Sequence, residues 1–373
     1  MRYLQSVALP GPFELEKGGK LQKVTVGYET YGQLNASKDN AILVCHAISG
    51  DSHVAKHDPS DDPGWWDVLV GPGKAIDTDR FFVICPNLLG GCRGTTGPSS
   101  IDPATGRPYG PDFPVITVAD MVRTERAFLD ALGIERLAAV AGGSLGGMQA
   151  FEWAILFPDH VDAVVAIAST HALHTQGLAW NAIARSSIQS DPAWQAGHYY
   201  GTGTKPDAGM GVARMVGHIT YLSAGSLGEK FGRRLQFSDD IRYTLTEPEF
   251  EVESYLRYQA DSFVRRFDAN TYLYTSRALT YFDLARQHGG SLATAFRDIS
   301  ARTLLIAFSS DWLYPPSGSE EIASALGALG KDVELHVIDA PYGHDCFLLE
   351  EARQTPMIQQ FLAKAAPGVA RRL

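Results

Sequence analysis

Cysteine is scarce in this chain of 373 residues, with only Cys45, Cys85, Cys92 and Cys346. None has the close-pair spacing of metal-binding cysteines, and no metal site is expected. Cys45 and Cys85 sit in apolar runs, as small core residues do, which fits a reducing cytoplasm. Long apolar runs are missing as well. The longest are strand-sized, far short of the ~20 residues a membrane span needs. Residues 1–10 carry no sustained apolar stretch followed by a cleavage site, so no signal peptide is expected. Positive charge is in deficit: 32 Lys and Arg stand against 42 Asp and Glu, a net charge of −10. That balance argues against a nucleic-acid or anionic-membrane partner. Internal repeats and low-complexity tracts are absent from the sequence. The glycine-rich stretch 90–97 lacks the Walker spacing, so it should not cradle nucleotide phosphates; it is as compatible with a cleft wall as with a structural turn. What remains is ordinary globular composition, with length for one large domain or a core bearing an insertion.

The stretch Ala139-Val-Ala-Gly-Gly-Ser-Leu-Gly-Gly-Met148 organises the rest. An apolar run leads into a glycine-flanked serine, and a helix-like segment, 149–157, follows. Gly142-Gly-Ser-Leu-Gly146 fits G-x-S-x-G, in which the serine sits on a sharp strand-to-helix turn with its Oγ exposed. Ser144 is therefore the candidate nucleophile. The N–H of Leu145, at the start of the helix, is placed to donate to an oxyanion, helped by the helix dipole.

Seven segments read as strands, the run that leads into Ser144 among them. Residues 23–31 alternate like an antiparallel strand. Runs at 40–45, 81–87, 137–142, 161–169, 303–309 and 333–338 are more continuously apolar, as strands buried on both faces are. Helix-like stretches at 119–132, 149–157 and 318–329 lie between them. Alternation of this kind predicts an α/β fold with a mostly parallel sheet. Residues 171–298 break the rhythm with helical patterns at 249–267 and 270–281. They are expected to form a helical cap inserted before the last strands, splitting the core into 1–170 and 299–373.

A serine nucleophile of this kind needs a base and an acid later in the chain. Asp311 follows the 303–309 strand, and His344 follows the last strand, both in loops at strand ends where this architecture gathers its chemistry. His344 is expected to take the Ser144 proton and Asp311 to orient the imidazolium. Asp345 and Asp339 are rivals for the carboxylate. His46 precedes the nucleophile and His336 lies within a strand; His160, His171, His174, His198, His218 and His288 read as surface or structural residues. A second oxyanion donor is expected from the backbone of His46-Ala-Ile-Ser-Gly50, with Ile48 first and Ala47 next.

Longer stretches carry a resemblance. They include Tyr28-Glu-Thr-Tyr-Gly-Gln-Leu-Asn35, Cys45-His-Ala-Ile-Ser-Gly50, Gly64-Trp-Trp-Asp67 and Gly71-Pro-Gly-Lys74. Asn87-Leu-Leu-Gly-Gly-Cys-Arg-Gly-Thr-Thr-Gly-Pro-Ser-Ser100, Gly142-Gly-Ser-Leu-Gly-Gly-Met-Gln149 and Ala213-Arg-Met-Val-Gly-His-Ile-Thr-Tyr221 continue the set. Glu253-Ser-Tyr-Leu-Arg-Tyr-Gln259, Arg266-Phe-Asp-Ala-Asn-Thr-Tyr272 and Tyr342-Gly-His-Asp-Cys-Phe-Leu348 complete it. Over nearly its whole length the sequence resembles the homoserine O-acetyltransferases of the α/β-hydrolase type. Cys346 stands where that family usually has alanine.

The resemblance implies an α/β-hydrolase fold with a helical cap, a homodimer and a cytoplasmic role in methionine biosynthesis. It implies double displacement: Ser144 takes the acyl group from acetyl-CoA, and L-homoserine then attacks the acyl-serine. No permanently bound cofactor is implied. Arg214 and Asp345 match the family's amino-acid-binding pair, and a zwitterion does call for one cation and one carboxylate. Succinyl-CoA users that resemble this chain tend to carry arginine two residues after the triad aspartate. Here that residue is Leu313, which offers a succinyl tail no charge, so acetyl is favoured; Arg93 is another cation that would serve a succinyl group. Serine as acceptor, and a capped esterase or thioesterase, are the other readings.

Overall fold

The computed structural model describes residues 2–365. The remaining end of the second core segment, 366–373, and Met1 lie outside the described residues. Eight strands form the central sheet: β1 (Gln5–Ala8), β2 (Thr25–Tyr31), β3 (Ala41–Cys45), β4 (Phe82–Pro86), β5 (Ala139–Gly143), β6 (Ala163–Ile167), β7 (Arg302–Phe308) and β8 (Val333–Ile338). Their spatial order is β1-β2-β4-β3-β5-β6-β7-β8. The first two pairings, β1 with β2 and β2 with β4, are antiparallel, and the rest are parallel.

Burial explains the sequence patterns. Every residue of β3, β5 and β6 is buried, because helices cover both faces of the parallel part. The edge strand β1 is mostly exposed and has no apolar signature, so periodicity missed it. Phe13–Glu14 pairs with Lys20–Leu21 in a separate small hairpin.

Three helices pack on the sheet between strands: α1 (Val118–Ala131), α2 (Leu145–Leu156) and, after β7, the helix Pro316–Ala328. Helix α1 starts in a capping box, with Asp120 N donating to Thr117 Oγ1 and Thr117 N to Asp120 Oδ2. Helix α2 is buried all round from Leu145 to Ala154, so it shows no amphipathic stripe. It starts at Leu145, where the G-x-S-x-G pattern puts it, four residues ahead of the helix-like run 149–157.

Between β6 and β7 the chain is helical: α3 (Thr175–Ser190), α4 (Asp207–Tyr221), α5 (Ala224–Lys230), α6 (Glu251–Val264) and α7 (Ala269–Tyr281). This region has its own apolar cluster, including Ile188, Met210, Phe263 and Tyr272. Its last part does not: Ala278, Phe282, Leu284 and Phe296 join the main core beneath it. Trp312 Nε1 donates to Leu222 O at 2.9 Å, and Ser223 Oγ donates to Pro341 O, so these helices are stitched to the loops after β7 and β8. Among the described residues no helix is long and apolar enough to cross a membrane.

Candidate active site

The register of the parallel strands decides which loops meet. Cys45 lies beside Gly142, Ile167 beside Gly143 and Ile306, and Phe308 beside Ile338. Parallel strands end on one edge of the sheet, so the segments after β3, β5, β7 and β8 converge there. They deliver residues 46–50, Ser144, Asp311 and His344.

Ser144 has φ 57° and ψ −122°, a conformation that costs a side-chain-bearing residue about 1–3 kcal/mol. It is over-determined by its surroundings. Ser144 N donates to Ile167 O at 2.9 Å, and Ser169 Oγ donates to Ser144 O at 2.9 Å. The flanking glycines permit the turn for steric reasons. A Cβ on Gly146 would stand 2.0 Å from Cys45 O, and one on Gly142 would stand 2.4 Å from the carbonyl carbon of Gly146. Helix α2 thus packs directly against the end of β3. Leu145 is its first residue, so its N–H has no acceptor within the helix and sits at the positive end of the dipole.

His344 Nδ1 is 2.7 Å from Asp311 Oδ2, and both residues are buried. The other oxygen, Asp311 Oδ1, accepts from the N–H groups of Leu313 at 3.0 Å and Tyr314 at 2.8 Å. Asp311 is therefore fixed by three donors, and its rival Asp339 is instead bonded by Ser309 Oγ at 2.6 Å. His344 packs edge-on to Tyr314, at 4.9 Å between ring centres.

Two cavities meet at Ser144. The larger, of about 290 Å³, is lined by Ser144, His344, Arg214, Asp345, His218 and Ile48, among others. The smaller, of about 50 Å³, is walled by Ile48, Trp180, Tyr272, Leu313 and Tyr314, again with Ser144. No side chain lining the smaller one carries a formal charge. Ile48 lines both, and Ala47 only the larger. The two cavities draw nothing from the glycine-rich loop 90–97. That loop is bonded to β2 instead, with Gly27 N donating to Thr95 Oγ1 and Thr25 N to Thr96 Oγ1, both at 2.9 Å.

Arg214, His218 and Tyr221 reach the larger cavity together because they are spaced i, i+4 and i+7 on α4. The Arg214 guanidinium lies 4.5 Å from the Phe263 ring centre and 5.7 Å from that of Tyr221. Its Nη1 is 3.4 Å from Ser49 Oγ, and its buried Nε has no partner. Burial pushes the Asp345 carboxyl up to about 6, against the pull of His344 and Arg214. Among the described residues no ion pair joins Arg214 to Asp345, so both keep bonding capacity for a ligand.

Sequence reasoning placed His218 among structural histidines. It is buried and its Nδ1 meets Tyr255 Oη at 3.0 Å, but it also lines the cavity, with Nε2 unpartnered. Burial, helped by Arg214, pushes its imidazole down to about 3. Reading α4 as a helix with Arg214 on the cavity face would have found it four residues on. Trp180 and Tyr314 had no sequence signal, since aromatic residues read as core.

The residues 40–351 match the model of the alpha/beta hydrolase fold. A homoserine O-acetyltransferase of Solidesulfovibrio magneticus is 49% identical over 99% of this chain and 94% of its own. The chain belongs to the homoserine O-acetyltransferase family of α/β hydrolases. A homoserine O-succinyltransferase of Litchfieldella anticariensis is 51% identical over 95% of this chain and 91% of its own. Among solved structures, the homoserine O-acetyltransferase of Bacillus anthracis superposes with a TM-score of 0.89 at 30% identity, covering 97% of this chain and 98% of that one. Esterase E22 reaches 0.87 at 33% identity, covering 96% and 100%. This chain thus shares its overall fold with a protein named as an esterase.

Proposed function

We propose that this protein transfers the acetyl group of acetyl-CoA to the hydroxyl of L-homoserine, through an acetyl-Ser144 intermediate. The observation that carries the reading is the larger cavity. It combines a nucleophile with its base, and an arginine with a carboxylate suited to a zwitterion.

In the first half, Ser144 Oγ attacks the thioester carbonyl and His344 Nε2 takes its proton. The N–H groups of Leu145 and Ile48 hold the oxyanion. The C–S bond breaks, and the thiolate of CoA leaves with the proton from His344. In the second half, the homoserine hydroxyl gives its proton to His344 and attacks the acetyl-serine. Ser144 departs and recovers the proton. Asp311 orients the imidazole throughout. Arg214 binds the acceptor carboxylate and Asp345 its ammonium. The reaction needs no resident cofactor. Helices α3 to α7 act as the cap that keeps water from the acyl-serine. The family reading also carries a homodimer and a cytoplasmic place in methionine biosynthesis.

The smaller cavity supports acetyl over succinyl. It lies against Ser144, is tight, is lined by apolar and aromatic side chains with only neutral polar groups such as Asn181 and Thr220, and places Leu313 on its wall without any cation. A succinyl carboxylate there would be buried without a cation, which is unfavourable. The relative named as a succinyltransferase keeps that donor as the second reading. The test is CoA release from acetyl-CoA or succinyl-CoA with L-homoserine, L-serine or no acceptor. Release from acetyl-CoA that depends on L-homoserine is expected. Preference for succinyl-CoA refutes the donor assignment, and release indifferent to acceptor makes the protein a thioesterase.

A further inference from the structure

Glu29 is an anomaly in β2: a carboxylate with no exposed surface, on a strand paired to both neighbours. Its Oε2 accepts from Tyr31 Oη at 2.9 Å and faces His53 Nδ1 at 2.8 Å and His57 Nε2 at 2.9 Å. Its Oε1 is buried without a partner. His53 is the informative member. Its other nitrogen, Nε2, lies 2.9 Å from the carbonyl oxygen of Asp62. Both ring nitrogens therefore face acceptors, and a neutral imidazole has one proton for the two. Either the ring is imidazolium, or Glu29 carries the proton, or a cation replaces it; the three groups facing Glu29 Oε2, from Tyr31, His53 and His57, favour the ionised carboxylate and hence the imidazolium. The 2.8 Å separation is that of a direct charge-assisted hydrogen bond.

The pair sits at the root of the active-site wall. His53 O accepts from Trp65 N at 3.2 Å, and Trp65 Nε1 donates to Asp51 O at 2.9 Å. Trp65, Ser49 and Gly50 line the larger cavity, together with the oxyanion candidate Ile48. Trp66 Nε1 donates to Phe347 O at 3.0 Å, three residues past His344. His57 is held between the rings of Tyr3 and Tyr31, with ring centres 4.1 and 4.3 Å away. We infer that Glu29 and an imidazolium at His53 form a buried ion pair that positions residues 46–66, and through them the oxyanion donor and the cavity wall. Neither residue touches the reacting atoms, so both are positioning residues for the reaction proposed above, on which the catalytic part of this inference rests.

The groups facing His53 are Glu29 from β2, Asp61 at 3.9 Å, His57 with its ring centre at 6.1 Å, and the Asp62 carbonyl. Burial opposes its charge, but the Asp62 carbonyl and Glu29 outweigh it, and the imidazole is raised. A raised histidine holds its charge to higher pH than an ordinary one and loses it as pH climbs past the raised value. The positioning should therefore weaken on the alkaline side.

The deciding experiment has two arms. Nitrogen NMR of the wild-type protein, titrated from pH 6 to 9 after dialysis against a chelator, should show both His53 ring nitrogens protonated beyond the midpoint of an ordinary histidine. A neutral His53, or a stoichiometric metal ion surviving the chelator, overturns the ion pair. That arm needs no assumption about substrates. In the second arm, Ser144 acylation is read with p-nitrophenyl acetate, which requires no acceptor and so stands whatever the natural substrate. His53→Gln and Glu29→Gln should slow acylation about tenfold or more with little change in KM, and should abolish the alkaline fall. Folded variants with unchanged acylation rate and pH profile overturn the positioning role.

Discussion

Asp345 offers the most quantitative test, because its carboxyl is pushed up to about 6 and it must be ionised to hold an ammonium group. A carboxyl raised in this way is charged above about 6 and neutral below it. Roughly nine-tenths of the enzyme has the charged form at pH 7 and roughly one-tenth at pH 5. Since kcat/KM follows the enzyme form that meets the substrate, here the acetyl-enzyme, its value for L-homoserine should fall about tenfold from pH 7 to pH 5 on this account alone. His344 also titrates, so the assay needs a reference. Acylation by p-nitrophenyl acetate uses His344 but no acceptor, and the ratio of the two profiles isolates Asp345. Asp345→Asn keeps the shape and removes the charge. Losing one partner of a desolvated charge pair costs about 3 kcal/mol, or roughly a hundredfold in kcat/KM for L-homoserine. Ester acylation should hardly change. A variant with wild-type KM for L-homoserine, or a ratio of profiles that is flat from pH 5 to 8, would refute the assignment of the ammonium to Asp345.

Other perturbations test other parts. Ser144→Ala should lower kcat by roughly 10⁴ or more and abolish labelling by a fluorophosphonate; adding His344→Ala should cost little further, because the two act as one unit. Leu313→Arg should raise the ratio of succinyl-CoA to acetyl-CoA turnover by at least tenfold, read from thiol release, and an unchanged ratio would remove Leu313 from the acyl pocket. Gly146→Ala drives a methyl into the Cys45 carbonyl, and calorimetry should show about 3 kcal/mol of lost stability alongside a lost acylation burst.

Much of this architecture was legible because buried parallel strands are written as apolar runs. The 333–338 run matches β8 residue for residue, and the others are off by one or two at their ends. Ser144, Asp311 and His344 were legible for a different reason. Each lies just past such a run, so finding the strand finds the residue. Arg214 and Asp345 came from family resemblance, since a helix arginine and a loop aspartate carry no chemical signature alone. Glu29, His53 and His57 were not found, because their closeness is made by tertiary folding of a loop that has no period. Tyr314 and Trp180 were hidden by a different ambiguity: an aromatic residue facing a cavity has the same sequence appearance as one facing the core.

The meeting of two unlike cavities at one oxygen atom has a kinetic consequence. On the function proposed above, the small one takes the acetyl methyl. The thiol of CoA and the hydroxyl of the acceptor must then approach Ser144 from the same larger side. They would then compete for one volume, so no ternary complex is expected and the departing product would vacate the seat of the incoming substrate. Double-reciprocal plots at several acceptor concentrations should run parallel, and free CoA should compete with L-homoserine for the acylated enzyme.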